Sequence, residues 1–308
     1  MQRVKKVRFE GRDDWLEERK HSIGGSEAAT ILGLNPYNGA YALWAEKTGR
    51  IQPKDLSDVE AVRLGTDLED YVAHRFMEKT GKKVRRENSI LYNEDIPFAH
   101  ATVDRLVVGE NAGLECKTTS ILNMKKFRNG EFPATYYCQC QHYMMVGGMS
   151  RFYLAVLVLG KDFLVFEIER DEEDIAALRG AEEEFWRCVE NDTPPPVGGT
   201  EADSEAVEQM YPVAEGGSIE LFGRERMIEE YLALGEQRKE LERQQDAIKQ
   251  QLCADLGAAE LGYAGEYKVS WKNQIRQTID KKRLFADFPA AAGDAYVKTS
   301  NSRVFRIL

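Results

Sequence analysis

The chain has 308 residues, of which 43% are apolar and 31% are charged, and its formal net charge is −10. This composition suits one large globular domain or two small ones, and it excludes a disordered or fibrous chain. No apolar run reaches the roughly 18 residues of a membrane span, and the N-terminal residues lack the apolar stretch of a signal peptide. We therefore expect a soluble, cytoplasmic protein.

The negative charge is concentrated in one segment. Residues 171–208 contain 13 acidic and 2 basic residues, a local charge of −11 that leaves +1 for the rest of the chain. Short basic clusters lie at 3–8, 82–86, 125–128 and 281–283. This distribution permits binding to DNA without demonstrating it, because the acidic segment can face away from a polyanion.

The first third of the chain predicts two short helices and a long one. SEAATILG starts at Ser26, a helix-capping residue type, and ends at Gly33, while AYALWAEKTG predicts a helix that ends at Gly49. A long helical pattern then covers 58–80.

Glu69 lies on the apolar stripe of this long helix, together with Val62, Val72 and Phe76. A carboxylate on the buried side of a helix is costly unless something pairs with it. The sequence leaves open an arginine partner, a water-filled edge or a functional role.

Residues 84–119 predict strands, namely SILYN, PFAHATVDRLVVG and LECKTTS, with a turn at 110–113. A helix is predicted at 136–147, followed by a hairpin of the buried strands RFYLAVLVLG and FLVFEIER. An acidic helix at 171–190 then closes the core domain.

The C-terminal part begins with NDTPPPVGGT, a composition typical of a linker. We predict a core domain at 1–190, a linker at 191–220 and an appendage at 221–308 that contains a helical arm and a terminal strand pair, EYKVSWKNQI with SRVFRIL. The arm shows near-heptad spacing and ends at Gly257. Its apolar positions are Met227, Tyr231, Leu234, Leu241, Ile248 and Leu252.

Asp104, Glu115 and Lys117 form the pattern that indicates chemistry. Because side chains alternate along a strand, Glu115 and Lys117 share one face, and the spacing D-x10-E-x-K brings them near Asp104 across a hairpin. Carboxylates of this kind suit Mg²⁺ bound together with a substrate phosphate, and the lysine suits a role in orienting water or stabilising charge. An exposed cross-strand ion pair is the alternative explanation of E-x-K.

Several blocks occur in the order and spacing of a known family across about residues 12–190: WLEERKHSIGGSEAATILGLNPY, YALWAEKTGR, GTDLEDYVAHRF, HATVD with GLECKTT, and YYCQCQHYMMVGG. They resemble the YqaJ-type viral recombinases, which are similar to phage lambda exonuclease within the PD-(D/E)xK nuclease superfamily. The chain departs from the pattern at Val103, where the superfamily usually has proline.

The resemblance implies roles for particular residues. Lys117 corresponds to the catalytic lysine, Gln139 to a glutamine near the site, and Arg19 and Ser26 to residues that bind the terminal 5′-phosphate. The implied metal ligands are Asp104, Glu115, Glu69 and the main-chain carbonyl of Cys116.

The resemblance also implies the fold and the activity. The expected fold is α/β, with a restriction-endonuclease-like core (a central mixed sheet flanked by helices) and a helical C-terminal appendage. The expected activity is a 5′-to-3′ exonuclease on double-stranded DNA ends, dependent on Mg²⁺ with Mn²⁺ as a substitute.

The implied setting is phage-type recombination in a bacterial host, from a phage or prophage gene. The 3′ single-stranded product would go to a single-strand annealing protein, and the enzyme would be a homotrimer. Two alternatives stay open, a structure-specific endonuclease of the same superfamily and a non-catalytic DNA-binding recombination module.

Overall fold

A computed structural model describes residues 4–8, 11, 17–293, 296–298 and 302–307. The chain divides into two compact units, Met1–Tyr211 and Pro212–Leu308. The strands of the first unit are β1 (Val4–Arg8), β2 (Ile23–Gly24), β3 (Val84–Arg86), β4 (Ser89–Asn93), β5 (Ile96–Ala101), β6 (Arg105–Val107), β7 (Ala112–Thr119), β8 (Arg151–Val158) and β9 (Asp162–Glu169).

The helices of the first unit lie between and after these strands. They are α1 (Gly25–Ile31), α2 (Ala40–Lys47), α3 (Glu60–Thr80), α4 (Ala134–Gly147), α5 (Glu172–Glu190) and α6 (Glu201–Met210), with a 3-10 segment at Ile121–Gly130. In the described part of the chain, no helix has the length and apolar character that crossing a membrane requires.

The larger sheet of the first unit is mixed and has the strand order β3-β6-β7-β8-β9. Its neighbours are antiparallel except for β7 and β8, which are parallel. Parallel strands need a crossover connection, and here the crossover includes α4. This topology brings α4 to the strand that carries Glu115 and Lys117.

The second sheet has the order β1-β4-β5-β2. PFAHATVDRLVVG, predicted as one strand, is divided between the sheets, because β5 belongs to this sheet and β6 to the larger one. Val103, between them, is 1% exposed and packs in the core. Asp104 therefore follows a change of sheet instead of ending a strand.

Helices cover the larger sheet through buried apolar side chains. Val72 and Phe76 of α3 pack with Leu114 of β7, and Met144 and Met145 of α4 belong to the main core. These two methionines therefore serve packing.

The predicted cap of α1 is wrong. The N-cap residue is Gly24, whose N–H donates to the Glu27 carboxylate at 2.9 Å, and Ser26 lies inside the first turn. Glu27 accepts from the amide of the true N-cap residue, and the Ser26 hydroxyl contacts Arg19 instead of capping the helix.

The predicted linker at 191–220 is also partly wrong, because it contains α6. Asp203 of α6 is fully buried and accepts hydrogen bonds from the Ala42 and Gly198 amides, each at 2.9 Å. These contacts fix α6 to the start of α2, so the first unit extends to Tyr211.

The second unit contains α7 (Glu225–Leu256), the hairpin β10 (Leu261–Ala264) and β11 (Tyr267–Ser270), and α8 (Lys281–Asp287). The predicted terminal strand pair is wrong, since β11 pairs with β10 and residues 302–307 have no regular structure. Leu308, the last residue of that predicted strand, lies outside the described residues. A two-residue turn makes the local pairing the easier one to close.

Candidate active site

Asp104 is held against the middle of β7. The pairing of β6 with β7 stops at Arg105 and Leu114, and the next free amide, that of Cys116, donates to Asp104 Oδ2 at 2.8 Å. The carboxylate therefore accepts the β7 hydrogen bond that a backbone carbonyl would accept if the short strand β6 began earlier. This contact places Asp104 directly beside the E-x-K segment.

Glu115 and Lys117 lie on one face of β7, as the alternation of the strand predicted. Lys117 Nζ is 2.6 Å from Glu115 Oε1 and lies 5.3 Å from the centre of the Tyr136 ring. Glu115 is only 3% exposed. The pair is therefore a buried one, and the alternative of an exposed cross-strand ion pair is wrong.

Helix α4 contributes Gln139 to the same place. Its Nε2 donates to Glu115 Oε1 at 2.7 Å and to Tyr143 Oη at 2.8 Å. Gln139 and Tyr143 are four residues apart and so share one face of the helix. The amide uses both protons and fixes the orientation of the Glu115 carboxylate.

The site concentrates negative charge in a buried place. Burial raises the pKa of Asp104 well above its ordinary value, and the nearby carboxylates of Glu115 and Glu69 raise it further; the Cys116 amide and Lys117 oppose them in part. Burial alone would lower the pKa of Lys117, but Glu115 and Asp104 raise it above its ordinary value. Lys117 is therefore an ammonium ion.

Glu69 has an arginine partner. Arg105 is 4% exposed and donates to Glu69 Oε1 at 2.5 Å, and it also binds Asp70 of the same helix. The arginine explains how a carboxylate is accommodated on this face of α3, which was one of the open possibilities. Glu69 still lies close enough to Asp104 to influence its pKa.

Arg19 and Ser26 come together although they are seven residues apart. Arg19 Nη2 donates to Ser26 Oγ at 3.1 Å. The segment between them is held by the buried ammonium of Lys47, which donates to the Arg19 carbonyl at 2.8 Å and to the Ser22 carbonyl at 2.7 Å. The two residues assigned to the 5′-phosphate therefore form one small polar cluster.

One atom of the site lacks a partner. Among the described residues, Glu115 Oε2 is a buried oxygen without a hydrogen-bond donor. A buried carboxylate oxygen without a donor, near the half-buried carboxylate of Asp104, suits a hard cation such as Mg²⁺. In the part of the chain that the structure covers, no three His, Cys, Asp or Glu side chains are arranged as a metal site, and Glu69 is turned to Arg105.

The other polar residues of α4 have structural contacts. Gln141 donates to the Glu169 carbonyl and accepts from the Asp171 amide, which joins α4 to the end of β9. His142 binds the Glu182 carboxylate and the His100 carbonyl at 2.7 and 2.8 Å. These contacts join α4 to β5, β9 and α5.

Sequence reasoning did not assign roles to Arg105 and Tyr143. Arg105 directly follows Asp104, and Tyr143 lies one helical turn after Gln139, so the spacing of each carried a signal. What the sequence lacked was the distance of either residue from the carboxylates.

Comparisons with known proteins identify relatives of this chain. A model of the YqaJ-like viral recombinase domain matches residues 14–150. Protein YqaJ of Bacillus subtilis (strain 168) is 41% identical over 300 residues, which cover 96% of this chain and 92% of that protein.

Solved structures show the fold. The alkaline exonuclease LHK-Exo from Laribacter hongkongensis has a TM-score of 0.50 at 19% identity, over 59% of this chain and 94% of that chain. Its complex with dAMP gives a TM-score of 0.51 at 20% identity over the same shares. The expected restriction-endonuclease-like core is confirmed.

The likeness to YqaJ extends over nearly the whole of both chains and therefore includes the second unit as well as the site. The chain belongs to the YqaJ-like viral recombinase family.

Proposed function

We propose that the chain is a Mg²⁺-dependent exonuclease that digests double-stranded DNA from its 5′ ends and leaves 3′ single strands. The observation that carries the proposal is the meeting of two carboxylates, a lysine and a glutamine at the middle of β7. Lys117 and Gln139 contact Glu115 at 2.6 and 2.7 Å, and Asp104 accepts from the neighbouring Cys116 amide at 2.8 Å.

The metal would be held by Asp104, Glu115 and the main-chain carbonyl of Cys116, with Glu69 as a further ligand once it leaves Arg105. The donor set is all oxygen, which Mg²⁺ prefers and Mn²⁺ accepts. When bound, such an ion lowers the pKa of a bound water and neutralises charge on the phosphate.

The protein's own side chains prepare the site for an attack on phosphorus. Lys117 presents donors beside Glu115, where they can orient water and stabilise negative charge that develops on the phosphate. Gln139 keeps the Glu115 carboxylate in one orientation. Because Glu115 is buried, these interactions act in a place of low dielectric, where they are strong.

The end of the DNA would be recognised by Arg19 and Ser26. A terminal phosphate carries one more ionisable oxygen than an internal one, so a guanidinium and a hydroxyl favour it over the middle of a strand. The 3.1 Å contact between Arg19 and Ser26 supports a shared ligand.

The proposed product and assembly follow the family. The 3′ single strand would pass to a single-strand annealing protein, and the first unit would assemble as a homotrimer through which duplex enters. The proposed setting is the cytoplasm of a bacterium that carries a phage or prophage.

The decisive experiment digests a linear duplex that is labelled separately at its 5′ and 3′ ends, with and without Mg²⁺. We expect early release of the 5′ label, only with the metal, and no cleavage of a closed duplex circle. An Asp104→Asn variant serves as the control, with metal binding followed by calorimetry.

Each other outcome identifies a different function. Cleavage of the closed circle would indicate a structure-specific endonuclease. DNA binding without any metal-dependent release of nucleotides would indicate a non-catalytic recombination module.

A further inference from the structure

Helix α7 presents a row of apolar side chains to solvent. The helix has 32 residues, a length of about 48 Å, and none of them is buried. The structure describes the whole of α7, and the apolar residues of its row are between 42% and 64% exposed. They are Met227, Tyr231, Leu234, Leu241, Ile248 and Leu252.

The spacing of the row is that of a coiled coil. Met227, Leu234, Leu241 and Ile248 follow each other at intervals of seven residues. A seven-residue repeat corresponds to 3.5 residues per turn, which keeps one seam facing a partner helix, whereas a helix packed on a globular core follows a period of 3.6. The row therefore fits another long helix.

We propose that this helix is a second copy of α7, packed antiparallel to the first. Tyr231, Arg238, Gln245 and Leu252 are the second set of seam residues, four residues after each member of the first set. In an antiparallel pair, each residue of one set faces a residue of the other set. The register that uses the whole row places Tyr231 opposite Ile248, Arg238 opposite Leu241, Gln245 opposite Leu234, and Leu252 opposite Met227 of the second copy.

Charge selects this orientation. In a parallel pair, Arg238 would face Arg238 of the second copy inside the seam, and two like charges there are unfavourable. In the antiparallel pair, the methylene groups of Arg238 cover Leu241 while the guanidinium reaches outward. It then lies near the second copy's Glu242, the type of partner it already has within its own helix at 3.6 Å.

The residues beside the seam agree with the antiparallel register. This register brings Glu230 near Gln251, Gln237 near Gln244, and Ile228 near Lys249 of the second copy. None of these pairs has like charges. At one end of the row, the ring of Phe305 meets Tyr231 with 5.6 Å between centroids and leaves 56% of Tyr231 exposed. Phe305 would therefore add apolar contact area to the layer that Tyr231 forms with Ile248 of the second copy.

Sedimentation of the full chain with Leu241→Lys tests the surface. The new charge would face Arg238 of the second copy, so the pairing should weaken at least tenfold, and the mass at micromolar concentration should fall to half that of the wild type. Halving is expected if the first unit is monomeric or forms the proposed ring of three, because α7 would then join two copies or two rings.

Leu232→Lys is the matched control. Leu232 lies on the same helix, is 49% exposed and stands outside the seam, so its replacement should leave the mass unchanged. Circular dichroism confirms that both variants keep their helix content. Equal masses for the wild type and Leu241→Lys would overturn the proposal.

Cysteine cross-linking tests the orientation. Gln237→Cys and Gln244→Cys are placed in separate full chains that also carry Cys253→Ser, which removes the thiol of α7. The antiparallel register predicts a disulfide in the mixture of the two chains and none above background in either chain alone. In a parallel pair these positions are about 10 Å apart along the axis, too far for a disulfide, so a mixture without cross-link would overturn the antiparallel register.

Discussion

Lys117 lies 2.6 Å from Glu115 and over the ring of Tyr136, so its neighbours hold its ammonium group beside the carboxylate of Glu115. We expect Lys117→Ala to lower the rate of digestion by at least about 100-fold, because a donor to the transition state is lost while the acidic ligands remain. DNA binding and metal binding should be kept. Lys82→Ala removes a lysine that pairs with Glu110 elsewhere and is the control; a rate for Lys117→Ala within about tenfold of the wild type would contradict the assignment.

Arg19 is the residue that the proposal makes responsible for sensing the 5′ end. A charge-assisted hydrogen bond is worth about 1.5 to 3 kcal/mol, so Arg19→Ala should reduce the preference for 5′-phosphate over 5′-hydroxyl ends by about tenfold to a hundredfold. Competition between the two duplexes measures this preference. Lys20→Ala, whose lysine pairs with Glu17, should keep it. If the wild type has no preference, Arg19 does not sense the end.

Tyr143 holds Gln139, which in turn holds Glu115. Its ring is 5% exposed and packs against Gly25, where an added Cβ would lie 2.5 Å from the ring. Tyr143→Phe keeps the ring and removes the acceptor of the Gln139 amide, so we expect a loss of about twofold to tenfold in rate.

A double-mutant cycle separates positioning from general stability. If Tyr143 acts through Gln139, adding Tyr143→Phe to Gln139→Leu should cost almost nothing further. Tyr137 lies on the same helix as Tyr143, and its hydroxyl is bonded to Asp174 of α5. Tyr137→Phe should leave the rate unchanged. Additive effects in the cycle would rule out action through Gln139.

Helix α4 is joined to α5 by a buried ion pair. The neighbours of the two ring nitrogens of His142 are the Glu182 carboxylate and the His100 carbonyl, an arrangement that favours the charged ring, in which both nitrogens donate. Burial opposes this charge, but Glu182, the His100 carbonyl and, more weakly, Glu27 raise the pKa of His142 above its ordinary value.

The sign of the pH dependence follows from this shift. A raised pKa in the folded state stabilises the protein fully below the unfolded value of about 6.5, and this contribution is lost as the pH rises through the folded value. Chemical denaturation between about pH 7 and 8.5 should show the loss, with a slope of at most about 1.4 kcal/mol per pH unit. Burial lowers the pKa of His100 to about 2, and its opposite contribution acts mainly below this range.

Glu182→Gln removes the charge that raises the pKa of His142. Burial then favours the neutral ring, so stability should rise with pH over the same window, the reverse of the wild type. A slope of the same sign in both proteins would show that the pair does not control it.

At the scale of the whole molecule, the basic clusters are weaker than the sequence suggested. Lys6 pairs with Glu87 and Lys82 with Glu110, so part of their charge is neutralised within the described residues. Arg3, from the first of these clusters, lies outside them. Attraction of DNA therefore depends on where the remaining cations lie around the site.

The proposed homotrimer is a prediction about the assembly of the whole molecule. Sedimentation of Leu241→Lys, in which α7 cannot pair, should give about three times 35.0 kDa if the first unit forms the family's ring. Dilution of this variant to nanomolar concentration should reduce processive digestion as the ring dissociates. A variant that is monomeric and still processive would contradict the ring.

The sequence by itself determined the long elements of the core and the residues that the candidate site contains. Alternation along a strand fixed Glu115 and Lys117 on one face, and the apolar periods of 58–80 and 136–147 predicted α3 and α4 within two residues at each end. These are local properties, set by φ, ψ and side-chain direction over a few residues.

Only the tertiary structure decided which distant groups meet. It showed that Arg105 satisfies Glu69, that Gln139 reaches Glu115 across a crossover connection, and that α6 is part of the first unit. It also replaced the predicted terminal strand pair by the local hairpin β10–β11. Such partners are chosen by packing and by satisfaction of buried polar groups among residues far apart in the chain, and a single sequence holds no local signal for that choice.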